Sequence, residues 1–236
     1  MLNRRDFYHQ NIRYSFHYHK ERLNRLNQRN NGYRKIDNFF KKIYNGNIPN
    51  DVFNMKNTPR ISHFRIKGIK KAFLMSFEKK LIRTNKIKKF HSDFKLSSYV
   101  EEVYNSYERN KIEKRPGHDP ILKNILIKDD DSIAIEVPIW RKIGNDYITG
   151  HIDLIQANES SIRIIDYKPE GHFLHTLPQV ASYGLIFKSI FAFNNITCVS
   201  FNKKEAWEYQ PEILIKDIKD YLIPHRINLN WEKYIQ

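Results

Sequence analysis

Apolar residues change their spacing twice along this chain, from a helical period to alternation and back. Ile36, Phe39, Phe40 and Ile43 share one helical face and predict a helix over 36–44. Ile69, Ala72, Phe73, Phe77 and Leu81 predict another over 66–83, its opposite face lined with lysine. A third is expected over 96–110, with Ser97 or Ser98 as N-cap and Glu101 and Glu102 in its first turn. Residues 1–31 read as a basic, aromatic-bearing helical arm that stops at Asn30-Asn31-Gly32.

From residue 121 the period falls to two. Strands are expected over 121–128, 133–140, 147–156 and 162–167, with Asp129-Asp130-Asp131-Ser132 as the first turn. A helix over 177–193 follows, with Thr176 as N-cap and Pro178 in its first turn. A strand over 197–201, a short one near 207–209 and a helix over 213–222 complete the chain. This order predicts an α/β fold around a mixed sheet. No window approaches 18 consecutive apolar residues, so no transmembrane helix is expected.

Charge sharpens this picture. The 236 residues carry a formal net charge of +15. Residues 1–100 hold 24 Lys/Arg against 6 Asp/Glu, and the remainder 17 against 20. A basic first part on a near-neutral second part suits a binder of polyanions, nucleic acid above all, because Lys and Arg displace counterions from phosphates. The alternative is a solvated basic face without a partner. Arg-rich, acid-poor residues at the start have the look of a transit peptide, but without a clear apolar face they are taken as part of the mature protein. We therefore expect a basic helical N-terminal extension over 1–60 and a second domain over 61–236. The single cysteine, Cys198, leaves no intrachain disulfide and no four-cysteine zinc or iron–sulfur site. Any metal must be held by oxygen and nitrogen ligands.

The candidate chemistry lies in Gly150-His151-Ile152-Asp153 and Asp166-Tyr167-Lys168-Pro169, separated by the turn residues Asn158-Glu159-Ser160-Ser161. A symmetric four-residue turn places Asp153 opposite Asp166 and His151 opposite Lys168. Alternation then projects all four side chains from one face. Two carboxylates opposed across strands repel each other. A hard divalent cation such as Mg²⁺ relieves that with oxygen ligands. Lys168 sits where it can hold or deprotonate a water, and Pro169 biases it to extended backbone. The competing reading is a surface hairpin with an Asp–Lys ion pair, and a one-residue slip would send one carboxylate to the other face. Gln179 and Tyr183, four apart on the next helix, share a face. They fit either contact with a nucleotide or water, or a surface glutamine beside a half-buried tyrosine. Glu136, on the preceding strand, is either an accessory acid in the cleft or a rim salt bridge.

Strand Gly-x-x-Asp, strand Asp-x-Lys and helix Gln-x-x-x-Tyr, in this order over residues 136–183, resemble the PD-(D/E)XK nuclease superfamily, and its RecB-type exonuclease branch in particular. The resemblance implies a restriction-endonuclease-like core, a central mixed β-sheet flanked by helices. It implies Mg²⁺ or Mn²⁺ on Asp153, Asp166 and the Tyr167 carbonyl, with His151 near the metal. Lys168 would position or activate the water, with Glu136 as a further acid, and Gln179 and Tyr183 would orient substrate or the lysine region. The branch often has an upstream histidine ligand, for which His63 is a candidate and Glu102 an alternative. Iron–sulfur members of the branch need cysteines this chain lacks. The implied activity is metal-dependent hydrolysis of DNA phosphodiesters, exonuclease-like on single-stranded or end-containing DNA, in DNA repair or a related process. That places the protein in the cytoplasm or wherever the genome is, not secreted. The alternative is a catalytically inactive nucleic-acid-binding protein, or a subunit of a repair or mobile-element complex whose basic N-terminal region docks a protein partner.

Overall fold

The structure, a computed structural model, describes residues 1–235. The chain opens with strands β1 (Leu2–His9) and β2 (Ile12–His19), then helices α1 (Lys20–Arg29), α2 (Arg34–Tyr44) and α3 (Asn50–Asn54). Helix α4 (Lys71–Arg83), strand β3 (Ile87–Phe90) and helices α5 (Lys95–Arg109) and α6 (His118–Lys128) follow. The second half runs β4 (Ser132–Ile143), β5 (Asp146–Ala157), β6 (Ile162–Tyr167), α7 (Phe173–Phe191), β7 (Ile196–Phe201), β8 (Ala206–Tyr209), α8 (Asp217–Leu222) and α9 (Glu232–Ile235).

The strands form one eight-stranded sheet in the order β1-β2-β4-β5-β6-β7-β8-β3. All pairings are antiparallel except β6 with β7, which α7 connects as a crossover. The fold is therefore α/β, with a mixed, mostly antiparallel sheet flanked by helices. On one side α5 and α6 bury Leu96, Val100, Ile121, Leu122 and Ile125 against Ile135, Leu154, Ile165 and Val199. The larger cluster holds Leu177, Val180 and Phe187 of α7 together with Ile36 and Phe40 of α2 and Phe16 of β2.

Two expectations are overturned. Residues 1–19 are a hairpin, not a helical arm. Gln10 and Asn11 both take positive φ (52° and 65°), the backbone of a two-residue turn that matches strand twist. Phe16 and Tyr18 alternate inward from there. Only 20–29 is helical, ending before Asn30 as the Asn-Asn-Gly signal indicates. Strand β2 pairs with β4, so residues on either side of position 60 share one sheet. Residues 121–128 form α6 rather than a strand. Their buried positions are Ile121, Leu122, Ile125 and Leu126, a helical spacing that outweighs the β-branched composition, while Ile127 faces out.

Other boundaries move for local reasons. Helix α4 starts after Gly68, whose φ of +79° breaks the helix expected from 66. Ser97 does not cap α5, since its hydroxyl is buried and donates to the Asn202 carbonyl at 2.7 Å. The segment 211–222 is a 3-10 turn followed by α8 instead of one helix. Helix α7 begins one turn earlier than expected, so Pro178 lies inside it. There Ile66 N–H donates to the His175 carbonyl at 3.0 Å and ties the helix start to segment 60–67.

Candidate active site

The turn between β5 and β6 is as symmetric as the sequence suggests. Asn158 Oδ1 accepts from the N–H groups of Ser160 (3.0 Å) and Ser161 (2.9 Å), and the pairs Leu154–Ile165, Ile155–Ile164, Gln156–Arg163 and Ala157–Ile162 follow from it. That register sets Asp153 opposite Asp166. Regular pairing stops one step short of them. Instead Tyr167 N–H donates to Asp153 Oδ2 at 2.9 Å, so the two strands part at the carboxylates.

Lys168 and Gln179 complete the arrangement. Lys168 Nζ lies 2.6 Å from Asp166 Oδ2. The Gln179 amide joins both, donating to Asp166 Oδ1 at 3.2 Å and accepting from Lys168 Nζ at 3.2 Å. One helical turn on, the Tyr183 hydroxyl accepts from His151 N–H at 3.3 Å. Gly150 makes room for that ring. A Cβ there would stand 2.5 Å from Tyr183 Cε1, which explains the glycine of Gly-x-x-Asp. Gly150→Ala is expected to cost about 1–3 kcal/mol by overpacking. The measurement is a urea unfolding midpoint that falls at constant slope.

Glu136 is near enough to Asp153 and Asp166 for their charges to act on it, and its backbone is irregular. Its φ is +51°, unusual for a strand residue. The flanking pairs Ile135–Leu154 and Val137–Ile152 pack into opposite layers, so both strands turn over at Glu136 and Asp153. Burial, then the charges of Asp153, Asp119 and Asp166, hold the Glu136 carboxyl well above its ordinary pKa.

Asp166 is fully buried, and burial together with Asp153 pushes its pKa up to about 6 against the pull of Lys168. Burial works to lower the Lys168 pKa, but the charges of Asp166 and Asp153 outweigh it and leave the ammonium more firmly protonated than usual. Because the folded value of Asp166 exceeds the unfolded one (~3.9), ionising it opposes folding. This group therefore favours the fold below about pH 4, and that contribution is lost as the pH rises through 6. A carbon-detected NMR titration of the metal-free protein is expected to place the Asp166 midpoint near pH 6. A midpoint near 4 would contradict this.

The strand reversal also separates His151 from the carboxylates it was expected to join. Simple alternation would put it beside Asp153, but the face changes between them. Its Nε2 lies 2.8 Å from His9 Nδ1, and its ring stacks on Tyr14 at 3.6 Å. His9 Nε2 meets Asn50 Oδ1 at 3.2 Å. With that oxygen as acceptor, His9 carries its proton on Nε2, and His151 Nε2–H donates to His9 Nδ1. Burial foremost, then His9 and Arg60, keeps the His151 pKa well below its ordinary value. The two upstream candidates are elsewhere. His63 is exposed, its carbonyl accepting from Asn230 at 3.3 Å. Glu102 pairs with Lys128 at 2.6 Å on the outer surface, because the face of α5 that packs on the sheet carries Leu96, Val100 and Val103.

Two residues near the carboxylates were not foreseen. Asp119, in the first turn of α6, adds to the charge pressing on Glu136. His118 stands edge-on to Tyr167 with centroids 5.3 Å apart, and it opposes the rise of the Asp166 pKa. The available signal was Pro116-Gly117-His118-Asp119-Pro120, a turn-rich stretch that carries two titratable groups.

No family model and no curated protein matches the chain. Among solved structures, the crystal structure of SSO0001 is similar at 19% identity and a TM-score of 0.29, over 71% of this chain and 94% of that one. No helix among the described residues is long and apolar enough to cross a membrane.

Proposed function

We propose that this chain is a divalent-metal-dependent nuclease with a restriction-endonuclease-like core, acting on DNA and using Asp153, Asp166 and Lys168. The observation that carries the reading is two opposed carboxylates at the point where two strands part, Asp166 joined to Lys168 by Gln179 and Asp153 held by the Tyr167 N–H. A purely structural ion pair does not require a second buried carboxylate beside it. The repulsion that raises Asp166 is a cost that function accounts for.

The residues suit a hard cation. Asp153 and Asp166 offer carboxylate oxygens, and the Tyr167 carbonyl is a further oxygen on the same segment. Among the described residues, no three His, Cys, Asp or Glu side chains stand together as a ready ligand set. Magnesium accommodates this, since it keeps waters and substrate oxygens alongside one or two protein carboxylates. When bound, Mg²⁺ or Mn²⁺ would offset phosphoryl charge and make water a better nucleophile.

The protein's own part is positioning. Lys168 is protonated while Asp166 holds it, so it donates hydrogen bonds to a water or a phosphoryl oxygen and opposes the charge that develops there. Gln179 fixes the direction of both Asp166 and Lys168. The basic first hundred residues supply the long-range attraction for a nucleic-acid backbone. Labelled single- and double-stranded DNA incubated with the protein is expected to be cut with Mg²⁺ or Mn²⁺ and left intact with EDTA. Binding without metal-dependent turnover would instead support the reading as a nucleic-acid-binding protein that retains the fold.

A further inference from the structure

Beside Lys168 lies a cavity of about 540 Å³ whose walls come from segment 65–67, the turn after β6, the start of α7 and His118 of α6. Three permanent cations face it, Arg65, Lys67 and Lys168, against one carboxylate, Glu170. Lys168 is already matched by Asp166. Arg65 and Lys67 have no carboxylate partner among the described residues, and Arg65 is near enough to Lys168 for the two charges to act on each other.

This crowding is built rather than incidental. Ile66, between the two cations, is pinned to α7 on both sides of its peptide. Its N–H donates to the His175 carbonyl at 3.0 Å, and His175 Nδ1–H donates to the Ile66 carbonyl at 3.0 Å. Arg65 and Lys67 are thereby held at the cavity, and His175 keeps its Nε2 for another partner. Like charges gathered in a concave site favour an anion, and the volume lies in the range of sites for small ligands. It suits one terminal nucleotide better than a duplex.

We infer that this cavity is a seat for a phosphomonoester at the end of a nucleic-acid strand, held by Arg65 and Lys67. The assignment rests on the nuclease reading for its choice of strand end, since Lys168, on the wall of the cavity, also pairs with Asp166. A terminal phosphate carries more negative charge than an internal diester, which is what two unmatched cations select.

The test is equilibrium binding in EDTA, where no turnover intervenes. The ligands are one oligonucleotide bearing a 5′-phosphate, a 3′-phosphate or hydroxyls at both ends, and inorganic phosphate as competitor. The wild type is expected to bind one phosphorylated form at least tenfold more tightly than the hydroxyl form, and inorganic phosphate to erase that difference. Which end is preferred identifies the source of the phosphate. Arg65→Ala with Lys67→Ala is expected to equalise the three oligonucleotides. Both side chains are exposed, so the fold should persist, as circular dichroism would verify. Equal binding of all forms by the wild type, or a preference unchanged in the double variant, would overturn the seat. Cleavage assayed separately keeps the two readings apart. A protein that cuts DNA without end preference loses only this inference, and one that prefers phosphate ends but never cuts loses only the nuclease reading.

Discussion

Lys168→Ala is expected to lower the rate of Mg²⁺-dependent DNA cleavage by about 10²–10⁴-fold while the protein remains folded. Lys168 Nζ is 2.6 Å from Asp166 and 3.2 Å from the Gln179 amide, so the substitution removes the ammonium that faces the carboxylates. Asp166 does not then become an unpaired buried charge. Its pKa is already raised to about 6, and without the ammonium it rises further and takes up a proton near neutrality. The fold is spared for that reason. Asp166→Asn should lose at least about 10²-fold in rate. For Lys168→Ala the loss should fall on kcat rather than on KM, because an interaction that matters in the transition state is missing while the basic face still binds DNA. Cleavage by both variants at the wild-type rate would assign the activity to another site or to a contaminant.

Alternation and turn chemistry carried the centre of this site into view. The four-residue turn at 158–161 sets the β5–β6 register, and that register alone places Asp153 opposite Asp166. The i, i+4 spacing likewise put Gln179 and Tyr183 on one helix face, and in the fold that face meets β6 and β5. What alternation cannot carry is a strand that turns over. Glu136 at positive φ breaks the period, and with it the argument that His151 shares a face with Asp153. The N-terminal hairpin was hidden for a different reason. Basic residues interleave with its aromatics and mask the period of two, and its turn is Gln10-Asn11 without glycine. Helix α6 was hidden by composition, since isoleucine at 121, 125 and 127 suggests a strand while the burial is helical. Partners brought from a distance, such as His9 for His151, have no local signal at all.

The largest stability effect is expected from Arg22, far from the carboxylates. Arg22→Ala should cost about 3–5 kcal/mol, seen as a lowered urea midpoint at unchanged slope. Its guanidinium is buried at the end of α6. One nitrogen donates to the carbonyls of Leu126 (2.6 Å), Asp129 (2.8 Å) and Ser132 (2.8 Å), and the other to that of Ile127 at 3.2 Å. These are orphan acceptors of a helix C-terminus and the turn into β4, where a cation also opposes the helix dipole. Alanine leaves several of them buried without a donor, each at a cost of about 1–3 kcal/mol before water enters. Arg22→Lys should recover only part of the loss, because one ammonium cannot reproduce a planar fork aimed at four carbonyls. The same turn holds Asp129, whose carboxylate accepts from Ser132 (2.6 Å) and Gln156 (2.7 Å) and faces Lys95 at 2.7 Å. Arg22 thus fixes the far end of the helix whose first turn brings His118 and Asp119 to the carboxylates. Loosening that end should weaken activity as well as stability. An Arg22→Ala protein as stable as the wild type would mean that water replaces the guanidinium at little cost, and that α6 is held by its apolar face alone.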